Sequence, residues 1–174
     1  MEKTLVLLRG LPGSGKSTVA KLIARTLTTA GLSYVICSAD SYFVGEDGIY
    51  CFDPCKLGAA HNKCRADAGE SMLAGIDYVI VDNTNTTKRE MQPYKELADE
   101  FGYTVKCQTV GNLTDIDIYA ERCIHNVPLE TIEKMAKRFE DPPQEEIVSF
   151  RKSEVRELVE RLKDIQELLS KYLN

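Results

Sequence analysis

The run Gly10-Leu11-Pro12-Gly13-Ser14-Gly15-Lys16-Ser17 fits the phosphate-loop pattern G-x-x-x-x-G-K-S/T and follows directly on the apolar run Leu5-Val6-Leu7-Leu8. Its flanks suit that chemistry. A strand of Leu and Val leads in, and Ser17-Thr18-Val19-Ala20-Lys21-Leu22-Ile23-Ala24 leads out with helical periodicity. Glycines at these places let the backbone turn its N–H groups inward around phosphate oxygens, with the positive end of the following helix behind them. The stretch from Gly10 through Thr18 is therefore expected to cradle a nucleoside triphosphate. Lys16 is expected to reach the β- and γ-phosphates, and Ser17 to offer its hydroxyl to Mg²⁺. Such a loop specifies a ligand and not a reaction, because kinases, switches and motors share it.

Polar groups elsewhere narrow the chemistry. Asp82 closes the apolar run Tyr78-Val79-Ile80-Val81, where a carboxylate is expected to hold Mg²⁺ together with Ser17, directly or through water. Asp40 follows the apolar run ending at Cys37. A carboxylate beside the γ-phosphate accepts the proton of an attacking hydroxyl, which a kinase needs and a switch does not. Capping a turn is the alternative for either aspartate. Arg122 and Arg138, on successive helical patterns, are each candidates for a guanidinium over the phosphates, and spacing does not choose between them. His61 and Arg65 share a helix face, and Asn83 and Asn85 follow Asp82; these four are candidates for the acceptor side of the crevice. An ordinary amphipathic face is the alternative for the first pair. The group Cys51-x3-Cys55-x5-His61-x2-Cys64 gathers four soft ligands into one segment, but its spacing is unlike the usual zinc spacings and part of it reads as helix, so incidental thiols are expected, with a zinc site as the alternative.

The elements that must position these groups follow from periodicity. Strand-like runs fall at 4–9, 34–38, 78–82 and 103–109, with helical patterns over 17–29, about 57–74, and 88–101 between them. That alternation predicts a parallel sheet covered on both faces, with ligands bound beyond the carboxyl ends of the strands. The phosphate loop, Ser38-Ala39-Asp40 and Asp82-Asn83-Thr84-Asn85 all lie at such ends. Gly45-Glu46-Asp47-Gly48 reads as a turn within a polar and aromatic excursion from Tyr42 to Phe52. Thr114 is a candidate helix cap, and Pro128 is expected to open a short helix that contains Thr131 to Met135. Val155, Leu158, Leu162, Ile165, Leu169 and Tyr172 follow a 3-4-3-4-3 spacing, which predicts a C-terminal helix over about 144–172. Val159 and Leu168 widen its stripe, so the helix is expected to dock on its own domain, with a homodimer through it as the alternative.

A length of 174 residues suits one domain with a sizeable core. The apolar runs are too short to span a bilayer, and no signal peptide precedes the first strand, so an intracellular location, cytoplasmic or nuclear, is expected. A net charge of −5 argues against broad electrostatic affinity for nucleic acid, though not against a strand end held by a few local cations. Cys37 and Cys107 end strand-like runs and are expected to be reduced core thiols.

These pieces together resemble the P-loop kinases of the polynucleotide 5′-kinase type. Within that group they are most similar to the kinase-like domain of eukaryotic ubiquitin-ligase-binding and BCL-binding proteins and their short relatives. The matching pieces are Leu8-Arg9 with the loop through Thr18, Ser38-Ala39-Asp40-Ser41-Tyr42-Phe43, Ala60-His61 with Arg65-Ala66, and Val81-Asp82-Asn83-Thr84-Asn85. They continue with Glu90 to Tyr94, Gly102 to Val105, Arg122-Cys123-Ile124-His125-Asn126-Val127 and Met135 to Glu140. The resemblance implies a single α/β domain over 1–174, a kinase-type parallel sheet flanked by helices, with a helical lid at about 114–138. It implies Mg²⁺–ATP as the phosphoryl donor and the 5′-hydroxyl end of DNA or RNA as the acceptor. It implies Lys16, Asp40 and Arg122 as the catalytic set, with Asp40 as general base and Arg122, rather than Arg138, as the lid arginine. Phe43 stands where phage-type enzymes carry a basic residue. A small-molecule or nucleoside kinase, and a non-catalytic ATP-binding interaction module, are the alternatives.

Overall fold

The computed structural model of the protein describes residues 2–123, 125 and 127–141. The C-terminal helix expected over about 144–172, and the homodimer reading attached to it, lie outside the described residues.

Four parallel strands form the sheet: β1 (Thr4–Arg9), β2 (Tyr34–Cys37), β3 (Tyr78–Asp82) and β4 (Thr104–Thr109), in the spatial order β2-β3-β1-β4. Helices α1 (Lys16–Thr29), α2 (Leu57–Leu73) and α3 (Lys88–Phe101) connect them. The four expected strands and the three helices expected between them are present, with ends that move by one residue. Ser38 leaves β2 because its hydroxyl accepts from the Asp40 N–H and caps the short 3-10 turn Ala39–Phe43. After β4 come two short helices, α4 (Ile116–Arg122) and α5 (Leu129–Lys137), the second opened by Pro128 as expected. Thr114 does not cap α4; the flanking residue is Asp115, and the Thr114 hydroxyl bonds to the Asp115 carboxylate instead.

All six residues of β1 are buried, which explains why it reads as a continuous apolar run. Leu5 and Leu7 point to one face, where Ala60, Cys64, Ala68 and Met72 of α2 and Met91, Tyr94 and Ala98 of α3 cover them. Val6 and Leu8 point to the other face and meet Ala20 and Leu27 of α1. The i, i+4 stripe of small residues on α2 keeps that helix close to the sheet edge and to the Ala39–Phe43 turn. In register, Leu8 stands beside Asp82 on β3, so the phosphate loop and the Asp82 carboxylate leave the sheet at the same level.

Helix α3 begins at Thr87, whose hydroxyl accepts from the Glu90 N–H, while the Glu90 carboxylate accepts from the Thr86 N–H at 2.7 Å. This reciprocal cap fixes where the loop after β3 ends. Among the described residues, no helix is long and apolar enough to cross a membrane.

Leu7→Ala removes a fully buried side chain from the centre of the larger core cluster. It is expected to cost about 2–5 kcal/mol. Urea unfolding will show this as a lowered midpoint with an unchanged slope.

Candidate active site

The phosphate loop is held from below and above. Gly13 has φ of 79°, and a Cβ there would lie 2.1 Å from the Tyr119 carbonyl oxygen of α4. Only glycine allows helix and loop to approach that closely. Gly15, at φ 96°, flanks the first turn of α1, and a Cβ there would meet nothing within 4 Å. The loop thus turns an open side to solvent at the N-terminus of a 14-residue helix, where backbone N–H groups have no intrahelical partner. Lys16 is nearly buried and donates to the Leu11 carbonyl at 2.9 Å. Burial pushes its pKa down from the ordinary value, while the carboxylates of Asp82 and then Asp40 draw it back up. Ser17 and Thr18 are exposed on the first turn of α1. Open N–H groups, an ammonium, a hydroxyl and a nearby carboxylate form a donor set that fits a Mg²⁺–triphosphate.

Asp82, at the end of β3, is 8% exposed. Asp40 sits in the Ala39–Phe43 turn after β2, with its carboxylate open to solvent. The two strand ends are tied together by Asn83. Its Oδ1 accepts from the Ala39 N–H at 2.9 Å, and its Nδ2 donates to Cys64 Sγ and to the Tyr94 hydroxyl, both at 3.3 Å. The Tyr94 hydroxyl in turn donates to Cys64 Sγ, and burial pushes the pKa values of both Tyr94 and Cys64 up. Asn85, in the left-handed region at φ 45°, donates through Nδ2 to the Leu8 carbonyl at 2.7 Å. Both asparagines are therefore buried and bonded inward: Asn83 ties the end of β3 to the Asp40 turn, and Asn85 ties the following loop to β1.

The two arginines expected over the phosphates are separated by their surroundings. Arg122 lies exposed in the last turn of α4 and makes no hydrogen bond or ion pair among the described residues. Arg138 is engaged elsewhere: its Nε donates to Thr86 Oγ1 at 3.1 Å, and its Nη2 is 3.3 Å from Glu90 Oε1. Helix α4 is seated on the loop by Tyr119, which packs with Leu11 and Ile132 and accepts from the Asn112 N–H at 2.7 Å.

His61 is exposed on α2, and Arg65 on the same helix donates to Asn62. The alternative of a zinc site finds no ligand cluster among the described residues. Cys51 and Cys55 are exposed, Cys64 is turned into the core, and among the described residues no three metal-ligating side chains come together. The i, i+3 step from His61 to Cys64 crosses α2 from its solvent face to its buried stripe.

Three residues of the site were not expected. Arg9, completely buried at the end of β1, donates through Nε to the Asn85 carbonyl at 2.9 Å and through Nη2 to the carbonyls of Thr86 and Glu140. Its guanidinium lies 4.7 Å from the centre of the Phe139 ring. The Tyr50 hydroxyl donates to Asp40 Oδ1 at 3.2 Å, and His125 Nε2 lies 3.7 Å from Asp40 Oδ2. The available signals were a charged residue closing an apolar strand, an aromatic in the 42–52 excursion, and a histidine near Arg122 in one short motif.

Comparison with known proteins extends these findings. The family model described as AAA domain matches residues 5–142. NEDD4-binding protein 2 of Homo sapiens is 40% identical over 139 residues, covering 78% of this chain and 8% of that protein. The 2′,3′-cyclic-nucleotide 3′-phosphodiesterase of Mus musculus is 34% identical over 103 residues, covering 59% of this chain and 23% of that protein. The chain thus spans less than a quarter of the length of these curated relatives. The APS kinase CysC of Mycobacterium tuberculosis, in complex with AMPPNP and APS, superposes with a TM-score of 0.60 at 17% identity over 97% of this chain and 98% of that one. A gluconokinase of Sinorhizobium meliloti gives 0.55 at 21% over 98% of each chain. A chain of the Pnkp1/Rnl/Hen1 complex gives 0.50 at 21%, covering 86% of this chain and 44% of that one. These likenesses show the α/β P-loop NTPase fold.

Gly13→Val is expected to force α4 off the loop, because the contact at 2.1 Å is to backbone. Its affinity for a non-hydrolysable ATP analogue should fall by about 10²-fold or more by calorimetry, while the far-ultraviolet dichroism stays that of the parent protein.

Proposed function

We propose that this chain, which belongs to the AAA domain family, transfers the γ-phosphate of Mg²⁺–ATP to a hydroxyl, with the 5′-hydroxyl end of a nucleic acid as acceptor. One observation carries the transfer reading: two carboxylates, Asp82 at the end of β3 and Asp40 in the turn after β2, leave the sheet at the same end as the phosphate loop, their segments tied by the bond from the Ala39 N–H to Asn83 Oδ1. A nucleotide-dependent switch needs the first of these; a carboxylate on the acceptor side is what hydroxyl activation adds.

The α1 N-terminus and Lys16 would bind the phosphates, and Ser17 with Asp82 would hold the metal. Bound there, Mg²⁺ would neutralise charge on the phosphate oxygens. Asp40 accepts the proton of the attacking hydroxyl as that oxygen bonds to the γ-phosphorus and the bond to the ADP oxygen breaks. Arg122, at the end of α4 and without a protein partner among the described residues, is available to cover the transferred group. Arg138, paired with Glu90, is not.

For the nucleic-acid acceptor, the support is the spacing of Asp40-x-Tyr42 and Asp82-Asn83-Thr84-Asn85, and the half-exposed rings of Tyr42 and Phe52 near the Asp40 turn, which offer stacking faces to a base. A small hydroxyl compound is the second reading. It is favoured by Phe43, which is buried against Tyr42, Tyr50 and Phe52 and brings no cation to a phosphate chain.

Transfer of label from γ-labelled ATP to 5′-hydroxyl DNA and RNA oligonucleotides, nucleosides and small alcohols separates these readings. Labelled oligonucleotides are expected. Labelling of a small alcohol alone would select the second reading, and no labelled acceptor would leave an ATP-binding module. Asp40→Asn should lower turnover about 10²-fold or more with ATP affinity within about twofold.

A further inference from the structure

Asp40 is reached from two elements that are distant in sequence. Tyr50 closes the small hairpin whose antiparallel bridge joins Val44 to Tyr50. His125 lies between α4 and α5, three residues after Arg122. The Tyr50 O–H donates to Oδ1 of Asp40 at 3.2 Å, and His125 Nε2 stands 3.7 Å from Oδ2, too far for a hydrogen bond. The Tyr50 and His125 rings lie against each other with centroids 4.3 Å apart and planes tilted by 41°. Tyr50 also meets the edge of the buried Phe43 ring at 6.1 Å, so its own position is set by the core.

We propose that Tyr50 and His125 are positioning residues for Asp40: Tyr50 fixes the rotation of the carboxylate through Oδ1, and His125, stacked on Tyr50, borders Oδ2 on the lid side. This rests on the reading of Asp40 as the proton acceptor. An exposed aspartate has rotational freedom that a base cannot use, and holding one oxygen directs the other. Burial and the adjacent Asp40 carboxylate push the Tyr50 phenol up to about 12, so it remains an O–H donor at any working pH. With Nε2 3.7 Å away, Oδ2 accepts no hydrogen bond among the described residues and is placed to take the proton of an acceptor hydroxyl. His125 follows Arg122 so closely that the seating of the lid and the orientation of the base are joined in one contact.

Steady-state kinetics of Tyr50→Phe, His125→Ala and their double variant test this, each alone and in the Asp40→Asn background. The acceptor is whichever the labelling panel identifies. Tyr50→Phe keeps the ring and deletes only the hydroxyl, so it preserves the packing. Each single variant should lower kcat by about 10-fold with KM for ATP within about twofold, and the double variant should fall short of the product of the two. In the Asp40→Asn background neither substitution should lower the residual rate further, because both act through the carboxylate. Parental kcat in Tyr50→Phe, beside an impaired Asp40→Asn, would overturn the positioning role alone. An equal loss in the Asp40→Asn background would do the same, marking a merely structural effect. Parental turnover in Asp40→Asn, or no phosphorylated acceptor, would overturn the reading of Asp40 and this inference with it.

Discussion

A single buried guanidinium holds the carboxyl end of this sheet together. Arg9 closes the central strand at full burial, immediately before the first glycine of the phosphate loop. A cation taken out of water must have its hydrogen bonds supplied by the protein. Here they come from the carbonyls of Asn85, Thr86 and Glu140, with the Phe139 ring lying against the guanidinium. Three segments are fixed by that need: the start of the loop, the turn after Asp82, and the chain leaving the lid. Around the same point the Glu140 N–H donates to the Thr86 carbonyl, and Arg138 bonds to Thr86 and Glu90. The arginine nearest the clamp is thereby structural, and the one at the end of α4 keeps its fork available.

Other polar links extend the same order outward. Asn83 carries it from β3 to the Asp40 turn, and Tyr119 carries it from the loop to α4. The crevice that results is asymmetric in charge. Its nucleotide side has open N–H groups and a buried ammonium. The side proposed to take the acceptor has Asp40 beside aromatic rings, with Glu46, Asp47 and Asp53 nearby in sequence and Lys56 as the one cation of the 42–56 stretch. A phosphate chain would gain little there from charge attraction; a ring or a single strand end would gain from stacking.

Much of this was readable from the sequence, and the unreadable parts share a cause. Strands β1 and β3 announce themselves because both faces are covered, and the phosphate loop because its glycines are required by backbone geometry. Those are local constraints. The asparagines after Asp82 read as acceptor-side groups, and only the third dimension shows that the Leu8 carbonyl and the Ala39 N–H engage them. Arg9 looks like the polar residue that ends a strand, until its partners arrive from 76 and 131 residues away. Tyr50 and His125 meet across a similar separation. The cysteine group is the opposite case: its members are near in sequence, but one turn of α2 sends His61 to solvent and Cys64 inward.

The central claim is that the γ-phosphate goes to a hydroxyl and not to water. Its most direct measurement is the fate of that phosphate during turnover in ¹⁸O-enriched water, read by mass spectrometry with the mixed acceptor panel present. The account predicts a phosphorylated acceptor whose phosphate carries no oxygen from the solvent, because the attacking oxygen is the acceptor's own. Inorganic phosphate bearing one solvent ¹⁸O as the sole product would contradict it, and would make the chain a nucleotide hydrolase.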